Sequence, residues 1–265
     1  MGESQRAAVL GRIERFDRDW SRFRDDSLVS RIAREPGTHL LPQDAGPLLD
    51  WYRELYEGTG GRVSPLVGRT LESLGYDAAY RLTPASRIAA VPAWAEAIAW
   101  DGRRLDTVGS VLLDVGAAGK GYLADLVSGL LVELGFPTHV VDASGDLVAR
   151  GETSEVVALE HPGDPSKAIG VVPLRDGALA ASAVNRRAWG DGLHHVIDAL
   201  TGLPTASVIA TWALAPDALH ADGLATALFF DPAPELLSAP GVSYVRMFAN
   251  GRVESSPSFA GELFV

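Results

Sequence analysis

The first third of the chain carries hydrophobic residues at helical spacing. They recur every three or four positions over residues 7–20 and again over residues 48–56, and both stretches predict amphipathic helices. Glycines within residues 58–61 would close the second helix, and residues 63–83 leave room for another short one. The N-terminal portion of the chain is therefore predicted to be helical.

From about residue 86 onward, short apolar runs between turn residues replace this pattern. Strands are predicted at 108–115, 138–141, 147–149, 156–159, 169–173 and 207–214. Helices are predicted at 122–134 and 219–230, and Gly135 and Pro137 would end the first of them.

The last predicted element is a hairpin. Asn250-Gly251 is a favoured turn sequence, and it lies between predicted strands at 242–249 and 253–256. Strands and helices do not alternate regularly along the chain. The pattern therefore favours an α+β fold with mixed or antiparallel strands, and we expect a single domain over residues 1–265.

Composition narrows the classes of partner. The 265 residues include 23 basic and 34 acidic side chains, for a net charge of −11, and no cysteine. Nucleic acid is not an expected partner, because a phosphate backbone needs a basic footprint. An anionic ligand would need a local positive pocket or a metal ion. No run of 18 apolar residues occurs and the N-terminus is too charged for a signal peptide, so we expect no membrane span and a cytoplasmic protein.

The segment DVGAAGKGYLAD, from Asp114 to Asp125, places glycines and one lysine between a predicted strand and a predicted helix. This layout aims free backbone N–H groups at an anion, and Lys120 adds charge. The segment matches neither common nucleotide fingerprint, and a plain strand-to-helix turn with a solvated lysine explains the spacing equally well. The segment ASGDL at 143–147 likewise reads as a β-turn.

Two further segments carry polar groups that could do chemistry. In GDGLHHVIDALTGLP, His194 and His195 point to opposite sides of an extended chain, so only one can face a given site. A histidine suits general base catalysis, although one solvent-facing and one core histidine would give the same pattern. In HADGLATALFF, Asp222 and Thr226 share a helix face and suit Mg²⁺ better than Zn²⁺. In the alternative interpretation, Asp222 interacts favourably with the positive end of the helix dipole, and the Thr226 hydroxyl donates to a backbone carbonyl of the preceding turn.

Taken together and in order, these segments resemble the ApbE-type flavin transferases, the FAD:protein FMN transferase family. The family's A-K-G-Y-x-x-D appears as GKGYLAD, its glycine pair before Asp as ASGDL, its H-x-I-D-P-x-T-G-x-P as HVIDALTGLP, and its A-D-x-x-x-T-A-L as ADGLATAL. The likeness runs over roughly residues 7–258. Members bind FAD and a divalent metal, usually Mg²⁺, and join FMN through a phosphoester to a Thr or Ser of a target protein.

The resemblance implies a role for each matching residue. His195 would activate the acceptor hydroxyl, and Asp198 would orient that histidine. Asp222, Thr226 and the backbone carbonyl of Gly119 would bind Mg²⁺. The residues that the resemblance implies at the FAD site are Lys120, Gly119, Gly121, Asp125, Gly145 and Thr201. The expected partners are FAD and an acceptor protein with a Thr or Ser flavinylation site.

The chain departs from the family pattern at four places. Ala199 replaces a proline, Ala33 an asparagine, Val63-Ser64 a Phe-Asp pair, and Ala181-Ser182-Ala183 a Thr-Ser-Gly run. These changes leave the metal and base positions intact and fall at positions where the flavin or the target protein would be bound. Three hypotheses remain: the transferase, an FAD pyrophosphatase in which water is the acceptor and FMN and AMP are released, and a non-catalytic flavin-binding protein with a decayed site.

Overall fold

The computed structural model describes residues 1–264. Its α-helices are α1 (Glu3–Trp20), α2 (Leu28–Arg34), α3 (Ala45–Gly58), α4 (Gly68–Ser73), α5 (Trp94–Ala97), α6 (Gly119–Glu133), α7 (Ala218–Ala227) and α8 (Pro234–Leu237). Its strands are β1 (Thr38–Leu40), β2 (Ile98–Trp100), β3 (Arg104–Thr107), β4 (His139–Asp142), β5 (Asp146–Arg150), β6 (Glu155–Glu160), β7 (Ala168–Leu174), β8 (Gly177–Ala183), β9 (Ala188–Trp189), β10 (Leu193–His194), β11 (Ile197–Asp198), β12 (Leu203–Pro204), β13 (Val208–Ala215), β14 (Ser243–Phe248), β15 (Val253–Ser255) and β16 (Glu262–Leu263). Short 3₁₀ helices lie at Pro65–Val67, Val184–Arg187 and Leu228–Phe230.

A six-stranded antiparallel sheet organises the second half of the chain. Its strand order is β15-β14-β13-β8-β5-β4. The β14–β15 hairpin forms one edge, as the Asn250-Gly251 turn predicted, and Gly251 takes the positive φ of 84° that such a turn requires. The α+β class with antiparallel strands is confirmed.

The six-stranded sheet is buried on both faces. Along β8, Ala180 packs with the residues of the helical layer, whereas Leu179 packs with a second, three-stranded sheet of order β16-β7-β6. Alternation along a strand sends neighbouring side chains to opposite faces, so both layers draw on the same strand. Helices α6 and α7 lie on the first face, against β5, β8 and β13.

The N-terminal helices complete the helical layer, which confirms the predicted helical portion. Helix α1 packs on α6, and α3 packs on α7. Fully buried side chains of α3, such as Tyr52 and Leu55, supply much of the core between them. A small sheet of order β1-β3-β2 lies beside this layer. Among the described residues, no helix combines the length and the apolar character needed to cross a membrane.

One strand prediction was wrong, and a central strand of the six-stranded sheet escaped prediction. The apolar run at 108–115 is not a strand, because Leu112, Leu113 and their neighbours are buried among helices without a partner strand. The actual strand is β3, which ends just before this run. Conversely, β8 escaped prediction, since the sequence GALAASA has small residues and no alternation of apolar and polar types. In both segments, tertiary packing and not the local sequence pattern determines whether a strand forms.

Candidate functional site

Two adjacent cavities share one wall beside the start of α6. Their volumes are about 450 Å³ and about 430 Å³. Five residues line both cavities and are called the shared wall below: Gly116, Lys120, Ser182, Arg187 and His195. Volumes of this size are typical of sites for small molecules and cofactors.

The first cavity is mainly apolar. Its aromatic lining includes Phe16, Trp20, Phe23 and Tyr76. A buried ion pair between Arg22 and Asp114 also borders it. The other oxygen of Asp114 accepts a hydrogen bond from the Gly116 N–H at 2.7 Å, which fixes the glycine-rich turn before α6. This cavity therefore suits a large planar ring system.

The second cavity is more polar and lies over the turn between β4 and β5. Ser144 and Gly145 form its floor, and both have positive φ angles, 58° and 109°. The predicted FAD residue Gly145 thus occupies a conformation that glycine adopts without strain. Asn185 and Asp222 also line this cavity.

Two buried carboxyl groups, Asp146 and Asp222, form a charge cluster with Lys120 of the shared wall. Lys120 Nζ lies 3.0 Å from Asp146 Oδ2 and donates to the Ser144 carbonyl at 3.2 Å. Burial raises the pKa of Asp146 to about 6, and the attraction of Lys120 opposes the rise. Burial and then repulsion by Asp146 hold the pKa of Asp222 well above its ordinary value. The cluster contains one positively charged side chain and two carboxyl groups, so a second positive charge nearby would be electrostatically favourable.

Helices α6 and α7 are joined through two of the residues predicted at the FAD site. The Gly121 N–H donates to Asp222 Oδ2 at 2.9 Å, and a Cβ at Gly121 would come within 2.0 Å of the Ala218 carbonyl. Asp125 accepts hydrogen bonds from the N–H groups of Ala218 at 3.0 Å and Leu219 at 2.8 Å. Both residues therefore build the helix pair that carries Asp222, and contact with FAD remains a prediction for them.

The predicted metal ligands come together only in part. Thr226 Oγ1 lies 3.4 Å from the carbonyl oxygen of Ala117, two residues before the predicted Gly119. Gly119 is the first residue of α6, and its N–H donates to Val115 at 2.7 Å. Residues 1–264 contain no group of three or more His, Cys, Asp or Glu side chains that could hold a metal ion. A cation here would depend on Asp222, on Thr226, on backbone oxygen and on the substrate itself.

His195 is the titratable ring of the shared wall. Burial, followed by the charge of Arg187, lowers its pKa to about 4, so the ring is neutral at pH 7. Its Nδ1 is buried and has no hydrogen-bond partner among the described residues. His194 points the other way, with Nε2 2.8 Å from the Thr205 carbonyl and Nδ1 accepting from Val196 N–H. The two histidines take opposite sides, as the extended sequence predicted.

Asp198 and Thr201 line neither cavity, whereas His195 lines both. The Asp198 carboxylate pairs with Arg62 and accepts from the Leu200 N–H at 2.9 Å. The exposed Thr201 accepts from Leu203 N–H within the same turn. The structure therefore gives Asp198 a partner other than the histidine that it was predicted to orient. Asp198 is three residues from His195 in sequence, but its carboxylate contacts Arg62 and Leu200, whereas the His195 ring lines the shared wall.

Two of the four departures from the family pattern line the cavities. Val63 and Ser64 border the first cavity, and residues 181–183 border the second. Ala33 is buried in α2, and Ala199 is buried at the turn after β11. The altered positions therefore include direct walls of the site.

Two residues of the site, Asp146 and Arg187, were missed by sequence reasoning. Asp146 lies in ASGDL, a segment that a β-turn explains without a role for the acid. Arg187 belongs to an arginine pair in an irregular segment. Ser182 was named only as part of a departure from the family pattern, since a run of small residues carries no chemical signal. Only the fold brings Ser182 and Arg187 to Lys120 and His195.

Known proteins share both the sequence and the fold of this chain. The model of the ApbE family matches residues 3–242. A FAD:protein FMN transferase of Klebsiella pneumoniae is 28% identical over 247 residues, covering 85% of this chain and 71% of that protein. One from Treponema pallidum is 29% identical over 277 residues, covering 88% and 74%. The crystal structure of an ApbE protein from Thermotoga maritima matches with a TM-score of 0.84 at 24% identity, over 96% of this chain and 89% of that one, which establishes the fold.

Proposed function

The chain belongs to the ApbE family, and from that premise we propose that it transfers FMN from FAD to a Thr or Ser hydroxyl of an acceptor protein. The observation that carries the proposal is the shared wall. It places a neutral histidine and two cationic side chains between an apolar cavity and a polar one.

The two cavities match the two halves of FAD. FAD consists of two ring systems joined by a diphosphate, and only the middle of the molecule is charged. The apolar cavity with Phe16, Trp20 and Tyr76 suits the isoalloxazine ring. The polar cavity over Gly145 suits the adenosine half. The diphosphate then crosses the shared wall, where Lys120 supplies positive charge.

His195 would act as the general base of the transfer. Its neutral ring takes the proton from the acceptor hydroxyl, and the hydroxyl oxygen forms a bond to the FMN phosphorus. The anhydride bond of FAD breaks at the same phosphorus, and AMP leaves with the electron pair of that bond. A positioned base contributes about 10²–10⁴-fold to such a step. The pKa of about 4 makes His195 a weak base in the free protein, and a bound diphosphate would raise that pKa by its negative charge.

The residues beside the shared wall fit a hard divalent cation, for which Mg²⁺ is the family's usual choice. Asp146 and Asp222 are both buried, and repulsion by Asp146 raises the pKa of Asp222 although Lys120 and Arg187 oppose the rise, so a cation would remove a repulsion that the protein otherwise carries. Asp222, Thr226 and the Ala117 carbonyl offer oxygen donors only, as Mg²⁺ prefers. A bound cation would stabilise negative charge on the phosphoryl group.

Mass spectrometry of a candidate acceptor tests the proposal. The protein is incubated with FAD, Mg²⁺ and an acceptor that carries a Thr or Ser flavinylation segment, and the acceptor should gain the mass of one FMN. A matched acceptor with Ala at the modified position should gain nothing. Release of FMN and AMP at a rate that the acceptor does not change would establish the pyrophosphatase instead. FAD that binds and is never consumed would establish a non-catalytic flavin-binding protein.

A further inference from the structure

Two cationic side chains lie in the shared wall, and their surroundings differ. Lys120 is engaged by Asp146 at 3.0 Å and by the Ser144 carbonyl at 3.2 Å. Arg187 is exposed, and within residues 1–264 its guanidinium has neither an ion pair nor a hydrogen bond, although its neighbour Arg186 pairs with Glu160 at 2.8 Å. Arg187 is thus the cation of this wall that is free to receive an anion.

The backbone around Arg187 is fixed on both sides. Asn185 Nδ2 donates to the Pro162 carbonyl, and Trp189 Nε1 donates to the Leu74 carbonyl at 3.0 Å. The indole of Trp189 also stacks on Tyr76, a residue of the apolar cavity, with ring centroids 5.4 Å apart. Strands β9 and β10 then pair Ala188 with His194, which places Arg187 close to His195. These contacts hold the backbone of Arg187 at the shared wall, although the Arg187 guanidinium itself has no ion pair or hydrogen bond within residues 1–264.

Electrostatic effects agree with this placement. The charge of Arg187 lowers the pKa of His195, a residue that lines both cavities. The guanidinium is therefore close enough to act on a group that lies between the two cavities. The cluster of Lys120, Asp146 and Asp222 has a formal charge of −1 when all three are ionised. A diphosphate that approached this cluster without a further cation would be repelled.

We propose that Arg187 binds the diphosphate of FAD across the shared wall, as the free cation beside the paired Lys120. The inference rests on the proposed function, and it adds a binding residue to that site. A guanidinium presents parallel N–H donors that match two phosphate oxygens, which a lysine ammonium cannot do in the same way. An exposed arginine can also reach a ligand without giving up an existing partner.

Binding measurements with FAD and with its two halves test this inference. Calorimetry would compare the wild type, Arg187→Met, Arg187→Lys and Arg186→Met, with no divalent cation and no acceptor so that FAD is not consumed. Arg186→Met removes the same charge from the adjacent residue, which also lines the second cavity but is paired with Glu160, so it is the control for an engaged arginine in the same cavity. The probes are FAD, ADP, which keeps a diphosphate, and riboflavin, which has no phosphate.

We expect Arg187→Met to weaken FAD and ADP about tenfold or more, near the lower end for a charge-assisted contact because the side chain is exposed. Riboflavin affinity should change less than about twofold, Arg187→Lys should recover part of the loss, and Arg186→Met should lose less than about threefold. Raising the salt concentration should weaken FAD binding to the wild type more steeply than to Arg187→Met.

Three results would overturn the inference: unchanged FAD affinity in Arg187→Met, an equal loss in Arg186→Met, or a parallel loss of riboflavin. Unchanged FAD affinity would show that Arg187 does not contact the diphosphate. An equal loss in Arg186→Met would show that only the overall positive charge matters, and a parallel loss of riboflavin would show that the substitution damages the cavity. A wild type that binds no FAD would refute the proposed function together with the inference. A wild type that binds and transfers, beside an Arg187→Met variant that behaves identically, would refute the inference alone.

Discussion

Replacing Asp222 with asparagine should stabilise the cation-free protein while it disables the site. Asparagine keeps the shape and an oxygen that can accept the Gly121 N–H bond, now 2.9 Å long. It removes a buried carboxyl group whose pKa is raised by burial and then by repulsion from Asp146. The fold therefore loses a repulsion and keeps a hydrogen bond.

The scale of the effect follows from the buried acid that remains in the variant. Burial, opposed by Lys120, raises the pKa of Asp146 from 3.8 to about 6, a change of about two units, and each unit is worth about 1.4 kcal/mol. A carboxyl group whose pKa is raised by folding costs nothing below about pH 4, where it is protonated in both states. The cost grows between about pH 4 and 6 and reaches about 3 kcal/mol above that range. Asp222 carries a cost of the same kind, since burial and repulsion by Asp146 raise its pKa, and removal of its carboxyl group should raise stability by about 1–3 kcal/mol near pH 8.

Thermal unfolding with and without Mg²⁺ measures this effect. In a chelator, Asp222→Asn should unfold at a higher temperature than the wild type near pH 8, by roughly 2–4 °C per kcal/mol, and at nearly the same temperature near pH 4. Excess Mg²⁺ should raise the wild-type midpoint and leave the variant unchanged. Turnover of the variant should fall by at least about tenfold.

Either of two results would refute this reasoning. A variant that is less stable than the wild type near pH 8 without a cation would show that the carboxylates do not repel each other. An equal Mg²⁺ shift in both proteins would remove Asp222 from the cation site.

Three further predictions concern other residues of the site. Gly121→Ala should lower the free energy of unfolding by at least about 1–3 kcal/mol, because its methyl group would meet the Ala218 carbonyl; an unchanged urea midpoint would contradict the close helix contact. His195→Asn should reduce transfer about 10²–10⁴-fold with FAD affinity within about threefold of the wild type, and a variant of normal rate would exclude the histidine as base. Lys120→Met should lower the unfolding midpoint more without Mg²⁺ than with it, since Asp146 loses its paired cation; calorimetric scans in chelator and in Mg²⁺ would show equal losses if the pair were unimportant.

The sequence predicted elements whose signals are local. Helix α6 and the β14–β15 hairpin fall close to their expected positions, because a periodic apolar stripe and an Asn-Gly turn act over a few residues. The apolar run before α6 was assigned to a strand, since a short buried run looks alike in a strand and in an irregular segment. Strand β8 gave no signal because its small residues suit burial between two layers.

The candidate site was predictable where its residues lie within one short sequence motif. Asp222 and Thr226 lie on one helix, and His195 takes the opposite side from His194, as spacing alone suggests. Asp198 shows the limit of that reasoning, because its partner Arg62 is 136 positions away in sequence. Arg187 reaches the same wall through the pairing of β9 and β10, which no local pattern in the sequence announces.

The bond between Gly121 and Asp222 sets an order of events during synthesis. Its two ends are 101 residues apart, and Asp125 likewise caps α7 across 93 and 94 residues. A nascent chain that has released α6 from the ribosome still lacks the helix that supplies Asp222 and Thr226. We therefore expect neither cation nor flavin to assist the early stages of folding on the ribosome. Ligand capture should begin only after α7 has emerged from the exit tunnel.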